Sequence, residues 1–378
     1  MIVALIVALS TCLAAFTASY DSAKTSDARY ANGADIRITP SPTSPQTYQA
    51  TDATQFRTTG IRGVTPVIYG LSNVILRSAR TSDPANLAAV DPRTYGAIAP
   101  VTDAHFSTGT PTTALARLQR DPKAVFLSED MAGFLKAKPG DPLEVTLVRS
   151  TAAQVEVHLR VAGLYQRLSG FPDGADALMS LAVHTASVPS KSPDFFLAST
   201  TGSGDGDLSS AVAALRRGPG TADRLQIDTR LTTRARDQSS LAALNIAGLV
   251  DLDSWFALAM VVVTIAIFVF GLLLARRREY VTLRALGLEP RTIRALIAAE
   301  SGTVAVIGVV AGLIVGAAMG FYFVTVLRPL FVLHPPYSLP GVALALPAAL
   351  VLGATVFATV IGSRLVNRLE PTELLRDE

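Results

Sequence analysis

Residues 275–300 read ARRREYVTLRALGLEPRTIRALIAAE, and a long apolar run lies on each side of them. Arg276, Arg277 and Arg278 close the first run. A short amphipathic stretch follows, breaks at Gly287-Leu288-Glu289-Pro290, and resumes as a helix that carries Arg291 and Arg294 into the next run. Positive charge packed between two membrane crossings marks a cytoplasmic loop. Val281, Leu283, Leu286 and Leu288 put apolar anchors on this short basic loop, which suggests a surface where something docks.

The composition agrees with a membrane protein. The chain has 378 residues, 49% of them hydrophobic and only 17% charged, with a mean hydropathy of +0.38. Soluble domains carry about 25% charged residues. The net charge of +3 is small, and its placement matters more than its size. Arginines beside apolar runs are an orientation signal, not a nucleic-acid footprint. Cys12 is the only cysteine, so the chain has no internal disulfide. His105, His158, His184 and His334 are scattered, and no pair has the spacing of helical metal ligands.

A crossing helix needs about 20 mostly apolar residues. Four stretches qualify: 1–19, 255–275, 301–327 (apolar from Val304) and 342–361. Arg276, Arg277, Arg278, Arg284, Arg291 and Arg294 separate the second and third, and Arg364, Arg368 and Arg376 follow the fourth. The loop between the third and fourth holds only Arg328. Segment 276–300 and the tail 362–378 therefore face the cytoplasm, and residues 20–254 lie outside. Trp255, Tyr322 and Tyr337 fall near the outer interface and Tyr280 at the inner one.

Nothing basic precedes the first run. It reads as an uncleaved span, as a signal peptide without a charged leader or a good cleavage site, or as a span preceded by further residues of a longer protein. Cys12, after Leu9-Ser10-Thr11, fits a lipoprotein box poorly and reads as a small residue buried in a helix. In the third span Gly308, Gly312, Gly316 and Gly320 recur every four residues and form one groove on the helix. Such a groove lets another backbone approach closely, either within the chain or across a dimer.

The outside segment mixes strands and helices. Strands are expected at 34–38, 64–69, 124–128, 195–199 and 225–229, a hairpin from 143–148 and 155–164, and helices at 129–136 and 207–217. That pattern is an α+β domain. A helix over about 237–253 is expected to lead into the second span. No Gly-x-Ser-x-Gly or His-Glu-x-x-His occurs. Ser128-Glu129-Asp130 reads as a helix cap, and Asp205-Gly206-Asp207 as a loop capping the next helix rather than a calcium site. An enzyme is not expected. Nor does the chain hold a Gly-x-x-x-x-Gly-Lys-Ser/Thr loop, so ATP chemistry would need a partner.

The run Arg276-Arg277-Arg278-Glu279-Tyr280-Val281-Thr282-Leu283-Arg284-Ala285-Leu286-Gly287 resembles the cytoplasmic signature of the FtsX-like (MacB-type) ABC permeases. Arg291-Thr292-Ile293-Arg294 and the tail Asn367-Arg368-Leu369-Glu370-Pro371-Thr372-Glu373-Leu374-Leu375-Arg376 resemble that family too, with Leu374 where alanine is usual. Gly33-Ala34-Asp35-Ile36-Arg37-Ile38 resembles the start of its extracytoplasmic domain. The resemblance covers 255–378 well and 1–254 more faintly.

It implies four transmembrane α-helices with a large α+β extracytoplasmic domain inserted between helices 1 and 2. The chain would be a multi-pass permease subunit in the cytoplasmic membrane of a bacterium. It also implies a coupling helix resting on a cytoplasmic ABC-type ATPase, which would bind the ATP and magnesium, so that this chain needs no cofactor. The contact residues would be Glu279, Leu283, Arg284, Leu286 and Gly287, with Arg278 and Val281 beside them. A second permease subunit and membrane lipid are the other expected partners. Two alternatives stay open: a membrane-anchored regulatory module acting on an extracellular or cell-wall partner without transport, and the C-terminal half of a longer permease. Segment 276–300 could also lie on lipid headgroups with its arginines on phosphates.

Overall fold

A computed structural model describes residues 2–41, 48–149, 154–217, 225–239, 286–327, 337–339 and 341–368, with scattered positions between 252 and 282. The chain divides into two compact units, Met1–Lys24 with Ser240–Glu378, and Thr25–Ser239.

The first unit holds the apolar helices. Helix α1 runs Ile2–Asn32 and continues from this unit into the second. Among the described residues, two helices are long and apolar enough to cross a membrane, over Val3–Asn32 and Ala298–Val326. The sequence places the end of the first span at residue 19, yet the helix persists for another three turns. The segment after Ser19 has only five strong helix formers among thirteen residues, and it is held by burial of Ala23, Ala28 and Tyr30. Gly33 ends it at φ +92°, a left-handed conformation in which its N–H bonds the Arg29 carbonyl at 2.9 Å. Of the remaining expected spans, 255–275 lies largely outside the described residues, as does most of the expected helix over about 237–253, of which 237–239 fall in a helix ending at Ser239. The third and fourth fall within the helices Pro290–Leu327 and Gly341–Arg368, described below.

The second unit is built on a nine-stranded mixed sheet. Its strands are β1 (Ile36–Pro40), β2 (Ile61–Arg77), β3 (Ser82–Val90), β4 (Ala124–Ser128), β5 (Pro142–Leu147), β6 (Val155–Tyr165), β7 (Ala177–Ser180), β8 (Phe195–Thr200) and β9 (Leu225–Thr229). They follow the order β3-β7-β4-β6-β5-β2-β8-β1-β9, and β2 also pairs with β3. Six strands thus form a closed ring of hydrogen-bonded neighbours, with β8, β1 and β9 extending from it. The 17-residue β2 makes this possible. Its first half pairs with β8 (Val64↔Ala198) and its second half with β3 (Ile75↔Pro84) and β5 (Ile75↔Thr146). An irregularity between Gly70 and Val74 bends it, with Ser72 at φ +46°. The sequence suggests only a short strand over 64–69 here.

Alternation fills two sides of this sheet. Ile68, Leu76, Leu87, Val125, Val145, Val161 and Met179, contributed by all six ring strands, converge in one buried cluster. Residues of opposite parity, among them Val67, Ala88, Phe126, Ala162, Leu178, Phe195 and Leu197, pack under helices α2 (Pro92–Ile98) and α3 (Pro111–Arg120). Both helices open with proline at the first position. Asp91 accepts from the Arg93 N–H, and the Thr110 hydroxyl from Thr113. The Ser128 hydroxyl accepts from Met131 N–H at 3.2 Å and caps α4 (Glu129–Leu135), as its position in the sequence suggests. Helix α5 spans Leu181–Ser187. Helix α6 (Asp205–Arg216) covers a third cluster around Ile36, Phe56 and Phe196. Helix α7 (Arg230–Ser239) follows β9 directly.

Candidate functional site

In the basic loop, Glu279, Leu286 and Gly287 lie among the described residues, while Arg278, Val281, Leu283 and Arg284 lie outside them. Leu286 N–H bonds the Thr282 carbonyl at 3.0 Å, the last bond of a helical turn. Gly287 takes φ +89°, which favours glycine over any side-chain-bearing residue. Helix α8 (Pro290–Leu327) then begins at Pro290, where a missing N–H costs nothing. The break expected at residues 287–290 is therefore a helix–turn–helix joint. Its corner carries Leu286 with 74% of its surface exposed.

Four of the five glycines of α8, Gly308, Gly312, Gly316 and Gly320, face α1 of the same chain, and Gly302 meets nothing within 4 Å. A methyl on Gly308 would lie 3.0 Å from Val3 Cγ1, and one on Gly312 only 2.6 Å from Val7 Cβ. On Gly316 it would lie 2.5 Å from the Ala8 carbonyl oxygen, and on Gly320 3.1 Å from Ala15 Cβ. Every one of these is closer than normal contact, so the backbones meet only because the side chains are absent. The matching seam on α1 runs through Val3, Ala4, Val7, Ala8, Thr11 and Ala15. Cys12 borders the seam, half-buried. At one end Phe16 packs edge-on to Phe323 at 5.3 Å, and the Tyr337 hydroxyl donates to the Ala317 carbonyl. Helix α9 (Gly341–Arg368) packs against α8.

In the second unit, the Gly33–Ile38 segment holds a buried charge node. Asp35 Oδ1 lies 3.1 Å from Arg29 Nε at the end of α1 and 3.3 Å from Arg230 Nη1 at the start of α7. Its Oδ2 accepts from the Thr200 N–H and hydroxyl at 3.0 and 3.2 Å. Arg230 also donates to the Ser203 carbonyl and pairs with Asp205 at 3.0 Å. Asp205, which the sequence suggests as part of a capping loop, is thus a partner of Arg230 and the first residue of α6. Arg234 Nη1 donates to the Thr25 hydroxyl. The helix through which the chain enters this unit and the helix through which it leaves are therefore joined by ion pairs and hydrogen bonds. No sequence motif announces this node. Asp35 and Arg230 are 195 residues apart, and only the sheet brings them together.

A strap from Ser169 to Asp176 closes over the same end. Gly170 N–H and the Ser169 hydroxyl both donate to the Tyr30 carbonyl, one of the orphan acceptors at the end of α1. Hydroxyls of Tyr95, Tyr69 and Tyr165 donate to the carbonyls of Ser169, Gly174 and Ala175. Burial pushes the phenols of Tyr95 and Tyr165 well above their ordinary range, so they stay protonated donors. Gly33 and Gly170 meet backbone to backbone, with a methyl on Gly33 only 2.7 Å from Gly170 Cα.

Residues 254–371 match the family model described as FtsX-like permease C-terminal. Among solved structures, the chain is similar to the periplasmic region of MacB from Actinobacillus actinomycetemcomitans, at 14% identity over 56% of this chain and 96% of that one, with a TM-score of 0.40. It is also similar to the extracellular domain of the ABC-type transporter YknZ from Gram-positive bacteria, at 15% identity over 51% of this chain and 99% of that one, with a TM-score of 0.37. No curated protein sequence matches it.

Proposed function

With residues 254–371 an FtsX-like permease C-terminal domain, we propose that the chain is the transmembrane subunit of an ATP-binding-cassette system, driven by a separate cytoplasmic ATPase that docks on residues 276–300. The family match carries this reading, because it spans the basic loop together with the apolar helices around it. The arrangement is four spans, with the α+β unit between the first and second and facing outside. Arg278, Glu279, Val281, Leu283, Arg284, Leu286 and Gly287 form the dock. The leucines enter a groove on the ATPase and the arginines meet acidic residues at its rim. The exposed corner at Leu286 and the left-handed Gly287 support this reading, since they present an apolar anchor on a stiff joint.

The output is a change of shape in the outer unit. Helix α1 is unbroken from Ile2 to Asn32, and its far end is gripped by Asp35, Gly170 and Ser169. ATP-driven movement of the apolar helices is carried along α1 and through α7 into the sheet. A second permease subunit completes the assembly, through faces of α8 other than the glycine groove that α1 occupies. Purification of the full chain from its native membrane tests the reading. An ABC-type ATPase is expected to accompany it, and a preparation free of any nucleotide-binding partner contradicts it.

A further inference from the structure

Beside β1 and β9 the second unit has a cavity of about 440 Å³, within the range of roughly 300–1,000 Å³ usual for small-ligand sites. Its floor follows from strand alternation. Ile36 and Ile38 point into the core under α6, which turns Arg37 and Thr39 to the opposite face. On the neighbouring strand Asp228 stands directly across from Arg37, and Gln226 across from Thr39. The walls are Asn32 in the last turn of α1 and Arg236 on α7.

The charges on these walls do not balance. Asp228 is fully engaged, its Oδ1 2.8 Å from Arg236 Nη2 and its Oδ2 accepting from Gln226 Nε2 at 2.8 Å. Arg37 forms no ion pair with any described residue. Its Nη1 donates to the Gly170 carbonyl at 3.1 Å, and its guanidinium carbon lies over the Phe195 ring, 3.7 Å from the ring centre. The ring contact and that one bond hold the group in place. The Nε and Nη2 hydrogens, the pair that grips a carboxylate in two parallel bonds, are left without a partner among the described residues. Burial also depresses the affinity of this guanidinium for its proton, against the opposing pull of Asp228 and Asp173. A half-buried, oriented arginine with unused donors at a polar cavity is costly unless an acceptor completes it.

We propose that this cavity binds the carboxylate of a small polar ligand, such as a peptide C-terminus, in a two-bond grip on the Nε and Nη2 of Arg37. Asn32, Thr39 and Gln226 supply hydrogen bonds for the rest of the ligand. The fixed negative charge of Asp228 beside the arginine favours a monoanion over a phosphate dianion. This site is independent of the ATPase dock, so either can fail without the other.

The test is binding of triglycine to the full chain in detergent, read by saturation-transfer NMR without nucleotide. Triglycine is expected to bind with a Kd on the order of 1 mM, acetate to compete, and the C-terminal amide of triglycine and inorganic phosphate to bind at least about tenfold more weakly. Arg37→Gln should weaken triglycine by a similar factor. Gln226→Trp, which leaves Arg37 untouched and fills the cavity, should also block it, so the result does not hang on the folding of one variant. The proposal is overturned by equal binding of acid and amide, by unchanged binding in Gln226→Trp, or by no triglycine signal up to about 10 mM, tenfold above the expected Kd.

Discussion

Asp35 and His184 are two polar residues that the second unit buries on opposite terms. Asp35 is compensated twice over, by Arg29 and Arg230, and both of its oxygens are used. Asp35→Asn is expected to destabilise the second unit by about 2 kcal/mol, the loss of charge-assisted bonds to Arg29 and Arg230, while Arg230 keeps its pair with Asp205. A lower thermal midpoint and faster proteolysis within residues 25–239 of the full chain would show it.

His184 on α5 is only 2% exposed, and its Nδ1 lacks a partner among the described residues. Burial first, then the charge of Lys191, lowers its pKa to about 4. The folded protein therefore keeps this imidazole neutral while the unfolded chain protonates near 6.5. As pH falls from 6.5 to 4 the unfolded state binds the extra proton, and stability declines by about 3 kcal/mol, levelling off below that window. Unfolding midpoints across this range should slope in the wild type and flatten in His184→Gln.

At the scale of elements, the sequence was most legible where period and punctuation agreed. Strands at 124–128 and 225–229 fall on the expected residues, and the hairpin of β5 and β6 and the capped helix α4 lie within a residue or two of theirs. In each, alternating or 3.6-periodic apolar residues end at a turn or cap. The misses share a cause. Helix α1 outlasts its hydrophobic run because Ala23, Ala28 and Tyr30 find tertiary partners, which hydropathy does not register. Strand β2 crosses Gly63, Pro66 and Gly70 because it serves three neighbours in turn and bends to do so. Closure of the six-strand ring is a long-range pairing with no local signal.

The glycine groove was visible in the sequence, and in the structure it is filled by α1 of the same chain. With Cys12 replaced by Ser, the pair Ala15→Cys and Gly320→Cys should close a disulfide within one chain on mild oxidation, leaving the monomer mass unchanged. The methyl positions are 3.1 Å apart, a few tenths of an ångström from the disulfide range of about 3.5–4.5 Å. Dimers as the main oxidised product would contradict the α1–α8 pairing.

At the scale of the molecule, charge counting predicts that the basic loop faces the cytoplasm, and residues 254–371 match the FtsX-like permease C-terminal family model, while the structure adds contacts that neither contains. What the chain joins together was not readable: an entry helix and an exit helix locked through Asp35, a strap pinned by three tyrosines, and an arginine waiting at a cavity. All of these depend on residues far apart in sequence. The account as a whole rests on energy entering through residues 276–300. The most direct measurement is the amount of ABC-type ATPase that co-purifies with the full chain, compared between wild type and the triple substitution Leu283→Asp, Arg284→Glu, Leu286→Asp. Loss of the ATPase, with the variant still inserted in the membrane at wild-type level, is the predicted result; unchanged association would contradict the account.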